Sequence, residues 1–307
     1  MSTSPIRIGT RASKLALWQA HWVADELRQL GATVEIVEIA TQGDVQQSGP
    51  IAQLGLQGVF TKEIQAAVLR GEVDLAVHSL KDLPTETVAG LTLAAVPERA
   101  SCADALVSTT GRKLKDLPPG AKIGTGSLRR QAQLRAMRPD LVIEGIRGNV
   151  GTRLSKLDSG EYDAIVLAVA GLNRLELSVR ICEKLGPPQM LPAPGQGALG
   201  IECRAGDEPL LTFVGQLEHL DTRAATDAER AMLALLHAGC SAPVGAWGRI
   251  DDGKLSLDGL VASLDGSRIL RASASGAAAN AQQLGKQVAE ELLAQGAEQL
   301  IHATREA

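Results

Sequence analysis

The chain has 307 residues, of which 45% are hydrophobic and 21% charged, and its formal net charge at pH 7 is −4. This length allows two or three domains with their own cores, and the composition excludes disordered and fibrous classes. The negative charge gives no global basic field for nucleic acid, and 2% aromatic residues are too few for the stacking surfaces of single-strand binders.

The N-terminus, MSTSPIRIGTRAS, lacks the basic and then apolar pattern of a signal peptide, and no apolar stretch approaches the roughly 18 to 20 residues that span a bilayer. We therefore expect a cytoplasmic protein without a membrane partner. The four cysteines are far apart and form no CxxC pair, so we expect free thiols, no disulfide framework and no metal site. They are Cys102, Cys182, Cys203 and Cys240.

The first hundred residues alternate short apolar runs with helical patterns, which is typical of an α/β domain. The strand PIRIGT precedes a helix from about Ser13 to Leu30, which Gly31 ends. The runs TVEIVEI, VDLAV and LTLAAV predict further strands, and a helix is expected near Thr61 to Arg70. Continuous runs of this kind suit a sheet that is buried on both faces.

A second unit after Arg99 repeats this pattern, with strands ALVS, KIGTG, LVIEG and DAIVLAV and helices from Ser127 and from about Asn149. RIGTRAS and KIGTGS both indicate a strand, a short turn and a serine that caps a helix. We therefore predict two similar α/β domains, each of which offers a helix N-terminus.

The segment GPPQMLPAPGQGALG is rich in proline and glycine and indicates a connection that leaves the second domain, after which the strand ALGIEC could return to the first. From Asp221 a long helix, three strands with tight turns and a final helix to about Ala294 predict a separate α+β domain with a three-stranded antiparallel sheet. The predicted domains are 1–98 with 197–217, 103–192, and 221–307.

The strand VDLAV is followed at once by a polar cluster made of His78, Ser79, Lys81 and Asp82. Ligands of open α/β sheets bind beyond the carboxyl ends of the strands, so this cluster is expected in a ligand cleft. Asp82 could serve as a proton donor and acceptor, or as the counter-ion of a cationic intermediate. The alternative is a capped turn before Pro84.

Between Arg129 and Arg153 the chain has six arginines and no lysine. Arg129 and Arg130 fall in the first turn of a helix, where the macrodipole disfavours cations, so an anion is expected nearby. Arg147 and Arg153 bracket a second strand-to-helix turn. The guanidinium fork suits carboxylate or phosphate, although a compositional bias would give the same count.

Four more residues complete these interpretations. Arg11 follows the first strand and is expected in an anion site, whereas Arg135 and Arg138 are expected on a solvated helix face. Cys240 lies on a loop after the long helix, without an adjacent base to lower its pKa, so the residues alone make it a weak candidate for a reactive thiol.

Taken in order, the motifs of the chain resemble the porphobilinogen deaminase family along nearly its whole length. They are IGTRASKLALWQA, TQGD, FTKEI, AVHSLKDLP, GTGSLRRQ, RGNVGTRLSKL, AVAGLNRL, PGQGALGIECR and AERAMLALLHAGC. The resemblance implies a three-domain enzyme whose first two domains are similar to periplasmic binding proteins, with a cleft between them.

The resemblance also implies the reaction and the cofactor. A dipyrromethane cofactor would be linked by a thioether to Cys240, and four porphobilinogens would be joined to it head to tail, with release of ammonia and 1-hydroxymethylbilane in tetrapyrrole (haem) biosynthesis. Asp82 matches the catalytic aspartate, which assists ammonia loss and stabilises the azafulvenium cation. Each porphobilinogen carries an acetate and a propionate, which gives a physical reason for many arginines.

The remaining site residues are carried over by position in the matching motifs. The cofactor-binding set implied is Cys240, Lys81, Asp82, Thr125, Ser127, Arg129, Arg130, Arg147 and Gly148. The substrate-binding set implied is Arg11, Ser13, Arg147, Arg153 and Arg174. We expect a monomer with porphobilinogen as substrate and no nucleic-acid partner.

Two stretches depart from the family pattern: Gln57 replaces a loop lysine, and residues 98–105 replace a more usual hinge sequence. Two other functions are also considered. A non-catalytic anion-binding protein of the periplasmic type would share the first two domains but would need neither a modified cysteine nor a third domain. A tRNA or RNA binder would need a basic surface stripe, and the net charge of −4 argues against one.

Overall fold

The computed structural model of the chain describes residues 4–40, 61–239 and 242–306. The chain divides into two compact units. Unit 1 comprises Met1–Ala100 and Ala198–Arg223, and unit 2 comprises Ser101–Gly197 and Ala224–Ala307. The second α/β domain and the C-terminal domain expected from the sequence thus fall together in unit 2, and the three-domain boundaries stay a prediction.

In chain order, the strands of the described residues are β1 (Ile6–Thr10), β2 (Val34–Glu38), β3 (Leu75–Ser79), β4 (Leu91–Ala95), β5 (Asp104–Ser108), β6 (Lys122–Gly124), β7 (Val142–Glu144), β8 (Ala164–Ala168), β9 (Glu183–Leu185), β10 (Leu199–Arg204), β11 (Val244–Asp251), β12 (Lys254–Ala262) and β13 (Ile269–Ala277). The helices are α1 (Lys14–Gln29), α2 (Lys62–Leu69), α3 (Leu128–Met137), α4 (Val150–Asp158), α5 (Val169–Arg174), α6 (Glu208–Val214), α7 (Leu220–Leu235), α8 (Ala281–Ala294) and α9 (Ala297–Glu306).

Unit 1 is built on a five-stranded sheet with the order β2-β1-β3-β10-β4. Strands β1, β2 and β3 are parallel, whereas β10 runs antiparallel to both of its neighbours. The predicted return of the ALGIEC strand to the first domain is therefore confirmed. Ile8, Leu75 and Ile201 from the three central strands are fully buried, which explains why these strands read as continuous apolar runs.

Helix α1 shows how the local sequence sets the boundaries of an element. The hydroxyl of Ser13 accepts a hydrogen bond from the backbone N–H of Ala16, which caps the first turn. One face of the helix is buried at a spacing of three and four residues, through Ala20, Val23, Ala24 and Leu27. Gly31, with φ of +92°, ends it in the left-handed region, as the sequence predicted.

The α/β part of unit 2 has the same arrangement of parallel and antiparallel strands as the sheet of unit 1. Its sheet has the order β7-β6-β8-β5-β9, with β6, β7 and β8 parallel and β5 antiparallel to its neighbours. Strand β6 corresponds to β1, β8 to β3, and β5 to β10. The prediction of two similar α/β domains, made from a few matching letters, is confirmed by this topology.

The C-terminal part of unit 2 is the predicted three-stranded antiparallel meander, β11-β12-β13. Met232 of α7, Leu257 of β12 and Val288 of α8 are all fully buried in one hydrophobic cluster, so helices cover one face of the sheet. The α/β class with a C-terminal α+β part is therefore confirmed. The last helix, α9, was not predicted from the sequence.

Within unit 2 the β12–β13 hairpin packs against α3. Gly266 has φ of +75°, and a Cβ there would lie 2.6 Å from the backbone nitrogen of Ala136, so a side chain has no room. Arg135 donates from Nη1 to the carbonyl of Leu264 at 2.6 Å. The expectation that Arg135 lies on a solvated face is therefore wrong, because its guanidinium ties the helix to this hairpin.

Arg138 is also bound rather than solvated. It donates to both oxygens of Asp140 and to the carbonyls of Leu114 and Leu117, with distances between 2.6 and 2.9 Å. The guanidinium thus holds the segment before β6 against the end of α3. Arg138 has a local structural role, and the expected solvated face is again wrong.

Candidate active site

The cluster that follows β3 lies on a single 3₁₀ turn, Leu80–Asp82. The side chain of Leu80 is fully buried, and its backbone N–H donates to the carbonyl of Ala198 at 3.0 Å. Lys81 is partly buried, whereas Asp82 is exposed. The turn therefore has a fixed apolar base and presents a carboxylate to solvent at the carboxyl end of a central strand.

Polar contacts hold the end of β3 from behind. Gln19 of α1 donates to the hydroxyl of Ser79 at 2.8 Å. His78 is buried, and its Nε2 lies 3.3 Å from the carboxylate of Glu202, whose two oxygens also accept from Gln65. His78 thus belongs to a buried polar cluster, unlike the exposed Asp82, and sequence reasoning had grouped the two together.

Unit 1 also carries Arg11 and Ser13, in the turn from β1 to α1. Arg11 is half-buried, and Ser13 caps α1. Thr10 fixes this turn by donating its hydroxyl to the carbonyl of Ala16 at 3.2 Å. Together with Lys81 and Asp82, these are the predicted site residues of unit 1.

The corresponding turn in unit 2 joins β6 to α3. Thr125 is fully buried, and its hydroxyl accepts from the backbone N–H of Ser127 at 3.3 Å. Ser127 in turn caps α3 by accepting from the N–H of Arg130 at 3.5 Å. The predicted serine cap is therefore confirmed, and the first turn of α3 carries two adjacent arginines.

Arg129 and Arg130 are 3% and 5% exposed, and both bind the carboxylate of Asp104, which is 1% exposed. Burial raises the pKa of Asp104, but the charges and hydrogen bonds of the two arginines outweigh it and hold the pKa well below its usual range. The carboxylate of Asp104 is thus one anion of the kind expected beside the two arginines, and it belongs to the protein itself. Sequence reasoning missed Asp104, whose only signal is a carboxylate that opens an apolar strand.

A second strand-to-helix turn joins β7 to α4. Asn149 accepts from the backbone N–H of Thr152 at 2.9 Å, which confirms the predicted cap. Gly148 has φ of +105°, and its carbonyl accepts from Nε of Arg153 at 2.7 Å. Arg147 is half-buried beside them. This turn therefore brings two of the predicted arginines to one helix N-terminus.

Arg174 ends α5 and donates from Nη2 to the carbonyl of Gly197 at 2.8 Å. Burial lowers its pKa to about 10. The guanidinium therefore stays protonated at neutral pH and offers a fixed positive charge.

The cysteines differ in their suitability for covalent chemistry. Cys240 lies outside the described residues, as does Gln57. Cys203 is fully buried in β10, and burial raises its pKa to about 12, so its thiolate form is scarce at neutral pH. Cys102 and Cys182 are partly exposed, and neither forms a disulfide bond within the described residues.

The donor set suits a ligand with several carboxylates, such as dipyrromethane. The α3 and α4 turns offer capped helix N-termini with arginines, and these favour anions. In the α3 turn, Nε of Arg129 is buried and has no hydrogen-bond partner among residues 4–40, 61–239 and 242–306. No group of three or more His, Cys, Asp or Glu side chains suited to a metal ion occurs in the same ranges.

Solved structures similar to this chain include a lipoprotein and periplasmic binding proteins. A YaeC family lipoprotein from Enterococcus faecalis matches with 15% identity and a TM-score of 0.42, covering 69% of this chain and 90% of that one. An arginine-specific periplasmic binding protein from Salmonella typhimurium matches with 13% identity and a TM-score of 0.40, covering 70% and 92%. At these scores the likeness carries no argument on function.

The family comparison is more specific. The model for "Porphobilinogen deaminase, dipyromethane cofactor binding domain" matches residues 6–212, and the model for "Porphobilinogen deaminase, C-terminal domain" matches residues 224–294. None of the described helices is long and apolar enough to cross a membrane. The chain therefore belongs to the porphobilinogen deaminase family, and it is a transferase of tetrapyrrole biosynthesis that uses porphobilinogen as substrate and dipyrromethane as cofactor.

Proposed function

We propose that Asp82 is the catalytic residue with which this chain performs the hydroxymethylbilane synthase reaction. The observation that carries the proposal is the 3₁₀ turn, where the exposed carboxylate of Asp82 stands on the buried base formed by Leu80. Such a base fixes the backbone under the carboxylate while leaving its oxygens open to a substrate. Lys81 adds a positive charge beside it that can meet a substrate carboxylate.

The chemistry asked of Asp82 follows from the substrate. Ammonia leaves the aminomethyl group of porphobilinogen only if a proton accompanies it, and a cation delocalised over the pyrrole remains. A carboxylate next to the ring stabilises that cation and accepts hydrogen bonds from pyrrole N–H groups. When bound, the dipyrromethane supplies the nucleophilic terminal pyrrole carbon.

The other site residues bind and orient carboxylates. Guanidinium groups and helix N-termini both favour anions, and each added pyrrole brings two more carboxylates. We assign Arg11, Ser13, Arg147, Arg153 and Arg174 to substrate, and Lys81, Thr125, Ser127, Arg129, Arg130, Arg147 and Gly148 to the cofactor.

Asp82 is tested by substitution with a matched control. The letters LKD recur in a second 3₁₀ turn, Leu114–Asp116, whose leucine is buried and whose aspartate is exposed. Asp82→Asn should lower kcat by about a hundredfold or more, as expected for loss of a positioned acid-base or electrostatic group. Asp116→Asn should leave kcat unchanged. Equal kcat in Asp82→Asn and the wild type would refute the assignment.

Cys240 is proposed as the anchor of the cofactor through a thioether bond. The intact mass of the denatured protein should exceed the sequence mass by two linked pyrrole units. Cys240→Ser should lose this excess, and Cys182→Ser, which alters a partly exposed free thiol in unit 2, should keep it. If the excess persists in Cys240→Ser, the anchor lies elsewhere.

We further propose a cytoplasmic monomer that binds no nucleic acid, with domains 1–98 with 197–217, 103–192 and 221–307. The net charge of −4 supports the absence of a nucleic-acid partner. The exposed large hydrophobic residues of the described ranges are far apart in the sequence, which supports a monomer; they are Leu30, Leu69, Val142, Val179 and Leu220. Light scattering would refute the monomer if the mass in solution were two or more times the 32.1 kDa of one chain.

A further inference from the structure

Asp104 is a single buried carboxylate that serves two arginines. Its Oδ1 accepts from Nε of Arg130 at 3.0 Å and from Nη2 at 2.7 Å, and its Oδ2 accepts from Nη1 of Arg129 at 2.8 Å. Gln196 adds a further bond to Oδ1 at 2.8 Å. Oδ1 therefore accepts three hydrogen bonds and Oδ2 one, and both guanidinium groups are tied to this carboxylate.

Backbone carbonyls complete the orientation of the two arginines. Arg129 also donates from Nη1 to the carbonyl of Leu191 at 2.7 Å, and Arg130 donates from Nη1 to the carbonyl of Val166 at 3.0 Å. Each guanidinium thus meets Asp104 in one direction and a backbone oxygen in another. Removing Asp104 would leave each arginine with one anchor and free to rotate about it.

The charges make this carboxylate necessary. Two guanidiniums side by side in the first turn of α3 repel each other and also oppose the helix dipole. Burial sharpens both effects because solvent screening is weak there. Without Asp104, the arginines would gain by turning toward water and away from their present positions.

Asp104 does not neutralise the charge of both arginines. Two guanidiniums and one carboxylate leave the trio with one net positive charge. Nε of Arg129 is buried, and it has no acceptor within the part of the chain that the structure describes. A buried charge and a buried donor in this state both favour one more carboxylate.

We propose that Asp104 is a positioning residue, supported by Gln196, which presets Arg129 and Arg130 to receive a carboxylate of the pyrrole chain. This inference rests on the proposed function of the two arginines. The opposite role is physically possible, since a carboxylate could compete with the ligand for the same guanidiniums. The two roles differ in sign, so one experiment separates them.

The experiment uses the full-length holoenzyme and the variants Asp104→Asn and Asp104→Glu. The fraction of protein that carries dipyrromethane is measured by intact mass, and kcat and KM for porphobilinogen are measured per loaded enzyme. Asp104→Asn should lower the loaded fraction and raise KM by about tenfold, the size expected for loss of one charge-assisted hydrogen bond. Asp104→Glu retains the charge and should recover part of the loss.

Asp140→Asn is the matched control because it removes another aspartate-arginine pair of unit 2, that of Arg138. It should leave the loaded fraction and KM unchanged. If Asp104→Asn does not fold, Gln196→Met removes a neutral donor to the same oxygen, together with a hydrogen bond to the carbonyl of Cys102, and it should shift KM in the same direction by a smaller factor.

The outcomes separate three cases. A KM and a loaded fraction equal to those of the wild type in Asp104→Asn, or in Gln196→Met if only that variant folds, would overturn the inference. A lower KM would show competition and would overturn it as well. Arg129→Met tests the proposed function itself: if this variant loads and turns over normally, the arginine assignment fails, independently of Asp104.

Discussion

Gly148→Ala is predicted to damage the turn from β7 to α4 for two separable reasons. Gly148 has φ of +105°, a region that L residues avoid at a cost of about 1 to 2 kcal/mol. A Cβ at this position would also lie 2.6 Å from Cγ2 and 2.7 Å from Cβ of Thr152, closer than van der Waals contact. Such overpacking costs about 1 to 3 kcal/mol.

The chain supplies a control that separates the steric cost of the added Cβ from the backbone strain. Gly160, just after α4, has φ of +81°, and a Cβ there would meet nothing within 4 Å. Gly160→Ala should therefore cost about 1 to 2 kcal/mol, from backbone strain alone. Gly148→Ala should cost about 2 to 5 kcal/mol. The carbonyl of Gly148 accepts a hydrogen bond from Arg153, so Gly148→Ala should also raise the KM for porphobilinogen. Gly160→Ala should leave this KM unchanged.

Urea unfolding followed by circular dichroism gives the two free energies, and steady-state turnover gives KM. Equal destabilisation by the two substitutions would refute the steric argument. If Gly148→Ala were destabilised as expected but kept a normal KM, the turn would be structural only, and Arg153 would not depend on it for substrate binding.

Three further predictions concern stability and thiol chemistry. The pKa of Asp104 is lower in the folded than in the unfolded state, so its stabilising effect is present above the unfolded pKa of about 3.9 and is lost as the pH falls through the folded pKa. In an acid titration, the free energy of unfolding should therefore fall less steeply with decreasing pH in Asp104→Asn than in the wild type. Cys203, whose pKa burial raises to about 12, should resist iodoacetamide at pH 8 until the protein is unfolded, and a peptide map that shows it alkylated in the native state would contradict its burial. Arg135→Met removes bonds to two backbone carbonyls, including that of Leu264, and should lower the free energy of unfolding by about 1 to 3 kcal/mol; no change would mean that the hairpin holds without it.

Features set by neighbouring residues were predictable from the sequence. The caps Ser13, Ser127 and Asn149 were predicted because a capping side chain binds a backbone N–H only three residues ahead. Strands buried on both faces stood out as apolar runs. The same signal failed at the end of β8, where the run DAIVLAV continues into α5 and does not show that Val169 begins a helix.

Features that depend on distant partners were missed. Arg135 looked like a solvated residue because its acceptor, Leu264, lies 129 residues further along the chain. Asp104, which precedes the predicted strand ALVS, was not recognised because its arginines follow 25 and 26 residues later. In both cases the residue type was compatible with several environments, and only the fold selected one. The positions of Asp82 and the arginines in the candidate site came from motifs, whereas the buried carboxylate behind the arginines came from the structure.

The repeated topology separates the features that the two units share from those in which they differ. Strands β1 and β6 hold equivalent places in their sheets, and both lead through a threonine and a capping serine into a helix. Strands β3 and β8 are also equivalent, but β3 leads into the turn of Asp82, whereas β8 leads into the helix that ends at Arg174. The scaffold thus supplies a capped helix N-terminus in both units. The chemistry differs at the ends of β3 and β8. Unit 1 presents a carboxylate there, which can stabilise a cation, and unit 2 presents a guanidinium, which can hold an anion. Substitutions at these two positions should therefore alter different kinetic constants.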